Sequence, residues 1–282
     1  MTHSVYLIAE GVHDVAFLGK LLRERFKLKQ IRRRDQLDPA WARLLDGIKS
    51  AYLAENADTD ISRLSLPAPM FFSNSMMTVA VCAAGGLSEL VKRLRNDFQR
   101  MLRVKLQPEA VGLFLDNDAA PPSERFENLL AELKQMGLPL PERLGQVTQT
   151  SPHVGVFSMP NPSSQGTLED LLLDCAEHVY PSMLREAKQL VERREEFLGE
   201  LEKDERSDLA KPSGTKKATV AVMGAFLKPG KAIQTSIQDH RWVSEQTINQ
   251  PALASLNTFL EELLAQSPSI EPLDSNLTLP TH

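Results

Sequence analysis

The stretch Gly112-Leu113-Phe114-Leu115-Asp116-Asn117-Asp118 decides how the chain is read. An apolar strand runs directly into two carboxylates at positions i and i+2. A strand without polar alternation is buried on both faces, which places it inside a parallel sheet. Ligands of such sheets bind beyond the carboxyl ends of the strands. Side chains at i and i+2 leave a strand on the same side, so Asp116 and Asp118 can converge on one spot at that edge. Two such carboxylates repel, and one takes up a proton unless a cation sits between them. Hard oxygen donors of this kind suit Mg²⁺ or Mn²⁺. The plainer reading is that both residues cap a helix opening near Pro121.

Outward from this strand, an α/β rhythm is visible. Residues 5–9 form a first apolar strand, ended by Glu10-Gly11 and followed by a helical pattern to residue 26 with Val15, Leu18 and Leu22 on one face. Residues 27–75 break the rhythm with basic residues, short helical patterns and the prolines Pro67 and Pro69, and read as a mainly helical insertion. A second strand at 77–82 leads into Gly85-Gly86 and an amphipathic helix at 87–106. The third strand is 110–115, a helix starts at Pro121, and a fourth strand covers 154–159. Four strands alternating with three helices predict an α/β fold with a four-stranded parallel sheet. Beyond Pro160 the pattern is helical. Thr167 is a suitable N-cap, residues 186–205 read as a solvated, charge-dense helix, and apolar helices follow at 218–226 and 253–264. The expected organisation is therefore an α/β domain over 1–165, a helical part over 166–266 and a loose tail over 267–282.

The chain has 282 residues, 42% of them hydrophobic, and a formal net charge of −5, the profile of an ordinary water-soluble globular protein. No apolar run reaches the length of a membrane span. The N-terminus lacks a basic segment followed by an apolar one, so the expected location is the cytoplasm, with no membrane partner. Cys82 and Cys175 are isolated from each other in apolar patterns and are expected to be reduced and buried. The acidic total does not announce a nucleic-acid binder. Locally, however, Lys20, Arg23, Arg25, Lys27, Lys29, Arg32, Arg33 and Arg34 form a run containing one acid, Glu24. Such a run suits phosphate backbones, or is a basic surface with acidic partners elsewhere. No G-x-x-x-x-G-K-[ST] loop is present, so the chain is not itself a P-loop ATPase.

The order strand, Glu10-Gly11, helix; strand, Gly85-Gly86, helix; strand, Asp116-Asn117-Asp118, helix; strand resembles the Toprim domain. That domain is shared by topoisomerases, bacterial primases and the OLD (overcoming lysogenization defect) nucleases. Its signature is a glutamate after the first strand and Asp-x-Asp after the third, matched here by Glu10, Asp116 and Asp118. The turn Glu10-Gly11-x-x-Asp14 is similar to that of the OLD branch and its small uncharacterised relatives. Gly166-Thr167-Leu168-Glu169-Asp170-Leu171 resembles the segment after the fourth strand in that branch, where a further acid joins the metal site. Lys217 resembles its late lysine, with Lys216 and Lys211 as competitors. The likeness covers about residues 5–262, apart from the insertion.

The resemblance implies a divalent-metal-dependent nuclease with a Toprim-like fold. It implies two Mg²⁺ or Mn²⁺ ions held by Glu10, Asp116, Asp118, Glu169 and Asp170, with Lys217 stabilising the transition state as a point charge. Asp14 would join the outer shell or, more simply, cap its helix. His13 beside it is a base or an ordinary surface histidine. Arg25, Lys27, Lys29, Arg32, Arg33 and Arg34 are expected to line a nucleic-acid path. The implied partners are DNA or RNA, a separate ATPase and further copies of the chain, in a phage-defence or repair setting. The alternative is a Toprim-like nucleic-acid-binding or regulatory subunit without turnover. A phospho-acceptor role for Asp116 fits less well, because receiver domains and haloacid-dehalogenase-type phosphatases place their acids after the first strand.

Overall fold

The computed structural model describes residues 2–46, 68–117, 122–211 and 213–265. In chain order these form β1 (His3–Ala9), α1 (Val12–Glu24), β2 (Lys29–Ile31), α2 (Pro39–Asp46), β3 (Met70–Ser73), β4 (Met77–Ala83), α3 (Leu87–Arg103), β5 (Ala110–Asp116), α4 (Pro122–Gln135) and β6 (His153–Met159). The helices α5 (Leu168–Val179), α6 (Pro181–Glu192), α7 (Lys203–Leu209), α8 (Gly214–Leu227), α9 (Ile233–Asp239) and α10 (Pro251–Leu264) follow. The fold is mixed α/β, a six-stranded sheet of order β2-β3-β4-β1-β5-β6 flanked by helices.

The expectation of four strands and a mainly helical insertion is corrected here. β4, β1, β5 and β6 are mutually parallel, but β2 and β3 extend the sheet in antiparallel fashion. β2 is the three residues Lys-Gln-Ile and β3 the four residues Met-Phe-Phe-Ser. Neither is long enough to show an alternation that sequence periodicity can detect. The second helical pattern of the insertion, at 48–53, lies outside the described residues, as do Asp118 and the tail from residue 266. The charge-dense stretch 186–205 is not one helix: α6 ends at Glu192, and two short 3₁₀ turns precede α7.

Strand side chains alternate between two cores. Val5, Leu7, Ala9, Val79, Val81, Phe114 and Phe157 face α1 and the C-terminal helices. Tyr6, Ile8, Ala80, Val111, Leu113, Leu115 and Val156 face α2, α3 and α4. β5 is buried on both sides until Asp116, as its unbroken apolar sequence requires. Cys82 and Cys175 are free and buried. On the second face, Trp41 of α2 sets its ring edge against Phe71 of β3 at 5.5 Å, which fastens the insertion to the sheet. Asp97, on the buried side of α3, accepts from the Tyr6 hydroxyl at 2.6 Å and from Arg93.

The last helix depends on two missing side chains. Gly112 and Gly155 are register partners on β5 and β6. A Cβ at Gly112 would stand 2.6 Å from Leu263, and one at Gly155 would stand 2.6 Å from the ring of Phe259. The two glycines thus form the hollow that seats α10. Gly155→Ala should destabilise the protein by about 1–3 kcal/mol, because a rigid buried ring must shift. Urea denaturation would measure it, and an unchanged midpoint would contradict this packing.

Candidate active site

The site follows from the sheet's connections. From β1 the chain passes through α1 to β4 on one side, whereas from β5 it passes through α4 to β6 on the other. β1 and β5 are neighbours whose connections leave in opposite directions. A crevice opens at the carboxyl ends of such strands. Glu10 follows β1 and Asp116 ends β5, so the acids meet at the one place where the topology leaves room. Asp116 backbone N–H donates to Glu10 Oε1 at 2.9 Å.

A cavity of about 500 Å³ occupies the crevice, bounded by Glu10, Asp14, Asp116 and Glu169, with Lys217 and His13 beside them. The walls come from α1, β5, α5, α8, α9 and the turns after β1 and β4. Asp14 stands in the first turn of α1 and accepts from Gly11 N–H at 2.7 Å, so it caps its helix and lines the cavity at once. Glu169 is carried by the first turn of α5 and accepts from the Thr167 hydroxyl at 2.7 Å. Asp116 Oδ1 accepts from Leu168 N–H at 3.0 Å, joining β5 to the start of α5. Gly85 and Gly86 close another side; their N–H groups both donate to the Glu10 carbonyl, at 3.0 and 2.9 Å.

Two features that place α5 were only partly legible. Asn117, between the two aspartates, is buried and exchanges both backbone hydrogen bonds with Gly166, at 2.9 and 3.0 Å. Its side-chain amide donates to the Ser164 carbonyl at 2.8 Å. Asn117 therefore pins the loop after β6 to the end of β5, a role that one sequence does not betray. Gly166, at φ +157°, leaves no room for a side chain: a Cβ would stand 2.6 Å from Asp170 Oδ2 and 2.7 Å from Pro160 Cδ. The turn expected there is thus explained by close approach as much as by backbone freedom.

The candidate residues separate into those brought together and those not. Glu10, Asp116, Glu169 and Lys217 share the cavity, with Asp14 and His13. Asp118 lies outside the described residues. Asp170, expected as a metal ligand, is occupied otherwise. Its Oδ2 accepts from Thr167 N–H at 2.9 Å, and its Oδ1 pairs with Lys216 at 2.6 Å. That pairing also sorts the lysines: Lys216 clamps α8 to α5, and its neighbour Lys217 faces the carboxylates.

The basic run is corrected by its position. α1 leads away from Glu10 for 13 residues, roughly 20 Å, so Arg25 and Lys27 lie at the opposite, amino end of the sheet. Lys29 pairs across to Ser73, which pairs with Thr78 and in turn with Ser4 at the start of β1. Arg25 meets Glu261 at 2.6 Å and Lys27 approaches Glu245 at 4.0 Å. Arg32, Arg33 and Arg34 follow β2 back toward the carboxyl edge, but on the outermost strand, and Arg33 pairs with Asp35 at 2.9 Å. The run does not border the carboxylates.

Burial first, then the charges of Asp14, Glu10 and Glu169, raise the Asp116 carboxyl to about 8, against a single opposing hydrogen bond from Leu168. Burial and the charges of Glu10 and Glu169 raise Asp14 to about 7, opposed by the bond from Gly11 and by Lys217. Burial lowers His13, with Glu169 opposing and Lys217 assisting. An apo protein thus carries protons it would lose on unfolding. Between about pH 4 and 8 Asp116 and Asp14 hold more protons folded than unfolded, so their contribution to stability falls as pH rises through that window, with His13 opposing it more weakly. Melting curves at pH 5 and pH 8 in a chelator should show the lower midpoint at pH 8. A divalent cation that replaces those protons should raise the pH 8 midpoint more than the pH 5 midpoint. A midpoint that is no lower at pH 8 would contradict the carboxylate cluster.

The donor set is made of carboxylate oxygens, the ligand type that a hard divalent cation takes. Among the described residues, though, no three His, Cys, Asp or Glu side chains already stand as a finished cage. Asp14 and Glu169 are turned partly to their own helix ends.

A family model described as a protein of unknown function (DUF3226) matches residues 4–265. The chain belongs to this family. No curated protein matches it. A solved structure, the hypothetical protein PH0156 from Pyrococcus horikoshii OT3, is similar at 14% identity with a TM-score of 0.48, covering 93% of this chain and 95% of that one. Among the described residues no helix is long and apolar enough to cross a membrane.

Proposed function

We propose that this member of the DUF3226 family is a Toprim-type, divalent-metal-dependent nuclease. One observation carries the reading: Glu10 and Asp116, from the two strands that flank the crevice, share a cavity with Glu169 and Lys217, contributed by later helices. The order of these residues resembles the Toprim signature and its OLD branch. A bound Mg²⁺ or Mn²⁺ supplies a low-pKa water and charge neutralisation at phosphate. Glu10, Asp116 and Glu169, joined by Asp14, are the residues that would hold it, and Asp118 follows in sequence. Lys217 places a cation where negative charge grows on the phosphate in the transition state. Gly85 and Gly86 present a wall without side chains, at φ +94° and +124°, which lets a phosphate backbone come close. Asn117 and Thr167 hold the acids' supporting loop.

The partner classes that suit this reading are DNA or RNA and a separate ATPase, since the chain carries no P-loop of its own. A second reading is a nucleic-acid-binding or regulatory subunit without turnover. It is favoured by the hydrogen bonds that already occupy Asp14 and Glu169 at their own helix ends. Incubation of the pure protein with Mg²⁺ or Mn²⁺ against plasmid DNA, single-stranded DNA, tRNA and rRNA separates the two. Metal-dependent cleavage of any substrate supports the nuclease. Binding with no cleavage under every condition supports the subunit.

A further inference from the structure

A cleft of about 860 Å³ lies between α3 and α4, on the sheet face opposite the carboxylates. It carries three cations, Lys92, Arg95 and Arg125, and the amides of Asn96 and Asn128, above a floor that includes Leu90, Leu115 and Leu129. The cleft abuts the carboxylate cavity at two points of the chain. Gly86 borders the cavity and Leu87 the cleft; Asp116 borders the cavity and Leu115 the cleft. Arg125 bridges the boundary, donating from Nη1 to the Asp116 carbonyl at 2.6 Å. The two hollows therefore lie next to each other at the carboxyl rim of the sheet.

We propose that together they form a path that seats a single strand of nucleic acid, with the α3–α4 cleft holding the nucleotides next to the phosphate at the carboxylates. The proposal rests on the nuclease reading and names the substrate form that site takes. An acidic centre in a protein of net charge −5 repels polyanions unless cations border it. Lys92, Arg95 and Arg125 line the adjoining cleft, whereas the run from Arg25 to Lys29 lies at the far end of the sheet. Lys92 is 3.1 Å from Glu89, and Arg95 pairs with Glu132, but both pairs are solvent-exposed. Exposed pairs contribute little and can be exchanged for phosphate oxygens. The apolar floor favours an unstacked base over a duplex. A base laid on that floor must leave its stack and its partner, which costs a few kcal/mol in a duplex and least in a strand that is already single.

Fluorescence anisotropy with short labelled single-stranded DNA and RNA oligonucleotides, in EDTA so that nothing is cleaved, tests the proposal. Lys92→Ala/Arg95→Ala should weaken binding about tenfold or more and flatten its salt dependence by about 1.4 units of slope, as expected for two lost phosphate contacts on a single strand. Asn128→Glu, an exposed change that places a negative charge in the cleft, should weaken it as well. Arg25→Ala/Lys27→Ala/Lys29→Ala should bind like the wild type. Melting curves confirm that each variant is folded. The proposal is overturned if the wild type binds no single strand, if it prefers duplex, or if the cleft variants bind like the wild type. A parallel cleavage assay separates the two levels. Metal-dependent cleavage with an unchanged KM in the cleft variants would remove the path and leave the nuclease. Cleft-dependent binding without cleavage would remove the nuclease and leave the cleft as a binding site.

Discussion

On the nuclease reading proposed above, Asp116→Asn is expected to abolish metal-supported cleavage of nucleic acid and to melt at a higher temperature than the wild type at pH 8. The two effects share one cause. Asp116 is half-buried where Glu10, Asp14 and Glu169 meet, and its loss of solvent, followed by their charges, raises its carboxyl to about 8. Ionised, it stands in a place that is favourable only when a cation is bound; neutral, it relieves its neighbours. Asparagine keeps an acceptor for Leu168 N–H and removes the charge. The gain in stability should be negligible near pH 4, where both folded and unfolded carboxyls hold protons, and should grow toward pH 8. It should reach on the order of a few kcal/mol, at about 1.4 kcal/mol per pH unit. Cleavage should fall by a factor on the order of 10⁴, the scale seen when one member of a catalytic group acting as a unit is removed. Paired melting and cleavage assays read both, and a variant that cleaves normally or melts lower at pH 8 would count against the site.

The second large effect belongs to the lysines on α8. Lys217→Met should lower kcat by about a hundredfold or more and leave KM nearly unchanged, because a point charge aimed at a developing oxyanion acts mainly in the transition state. Lys216→Met should act differently. Its ammonium holds Asp170 at 2.6 Å, 39% and 27% of the two side chains being exposed. Losing it loosens α8 against α5 and shifts Lys217 without removing it. The expected result is a smaller loss of kcat, together with a modest loss of stability. A larger kcat defect in Lys216→Met than in Lys217→Met would reverse the assignment.

Much of this arrangement could be read from the chain. β5 is a run of apolar residues ending in an acid, so its burial on both faces and the place of Asp116 follow from hydrophobicity alone. β1 with Glu10 and β4 with Gly85-Gly86 follow in the same way. What escaped the sequence depends on contacts made across long separations. β2 and β3 are too short to carry a period and exist because β4 offers β3 an open edge. Asp170 reads as a second acid beside Glu169, yet helix geometry turns one toward the cavity and the other toward the cap and Lys216. The run from Lys20 to Arg34 reads as one patch, but it spans the length of α1 and a change of direction. Its members are distributed from one end of the sheet to the other. Asn117 looks like a spacer, and its value lies in the bridge to Gly166, 49 residues later by the numbering.

The most direct measurement is a single-turnover assay of wild type and Asp116→Asn, purified side by side, on labelled single-stranded DNA and RNA with Mn²⁺ and then with EDTA. The account predicts cleavage by the wild type only when Mn²⁺ is present, and none above background by Asp116→Asn. Equal cleavage by both proteins, or cleavage that persists in EDTA, would contradict it.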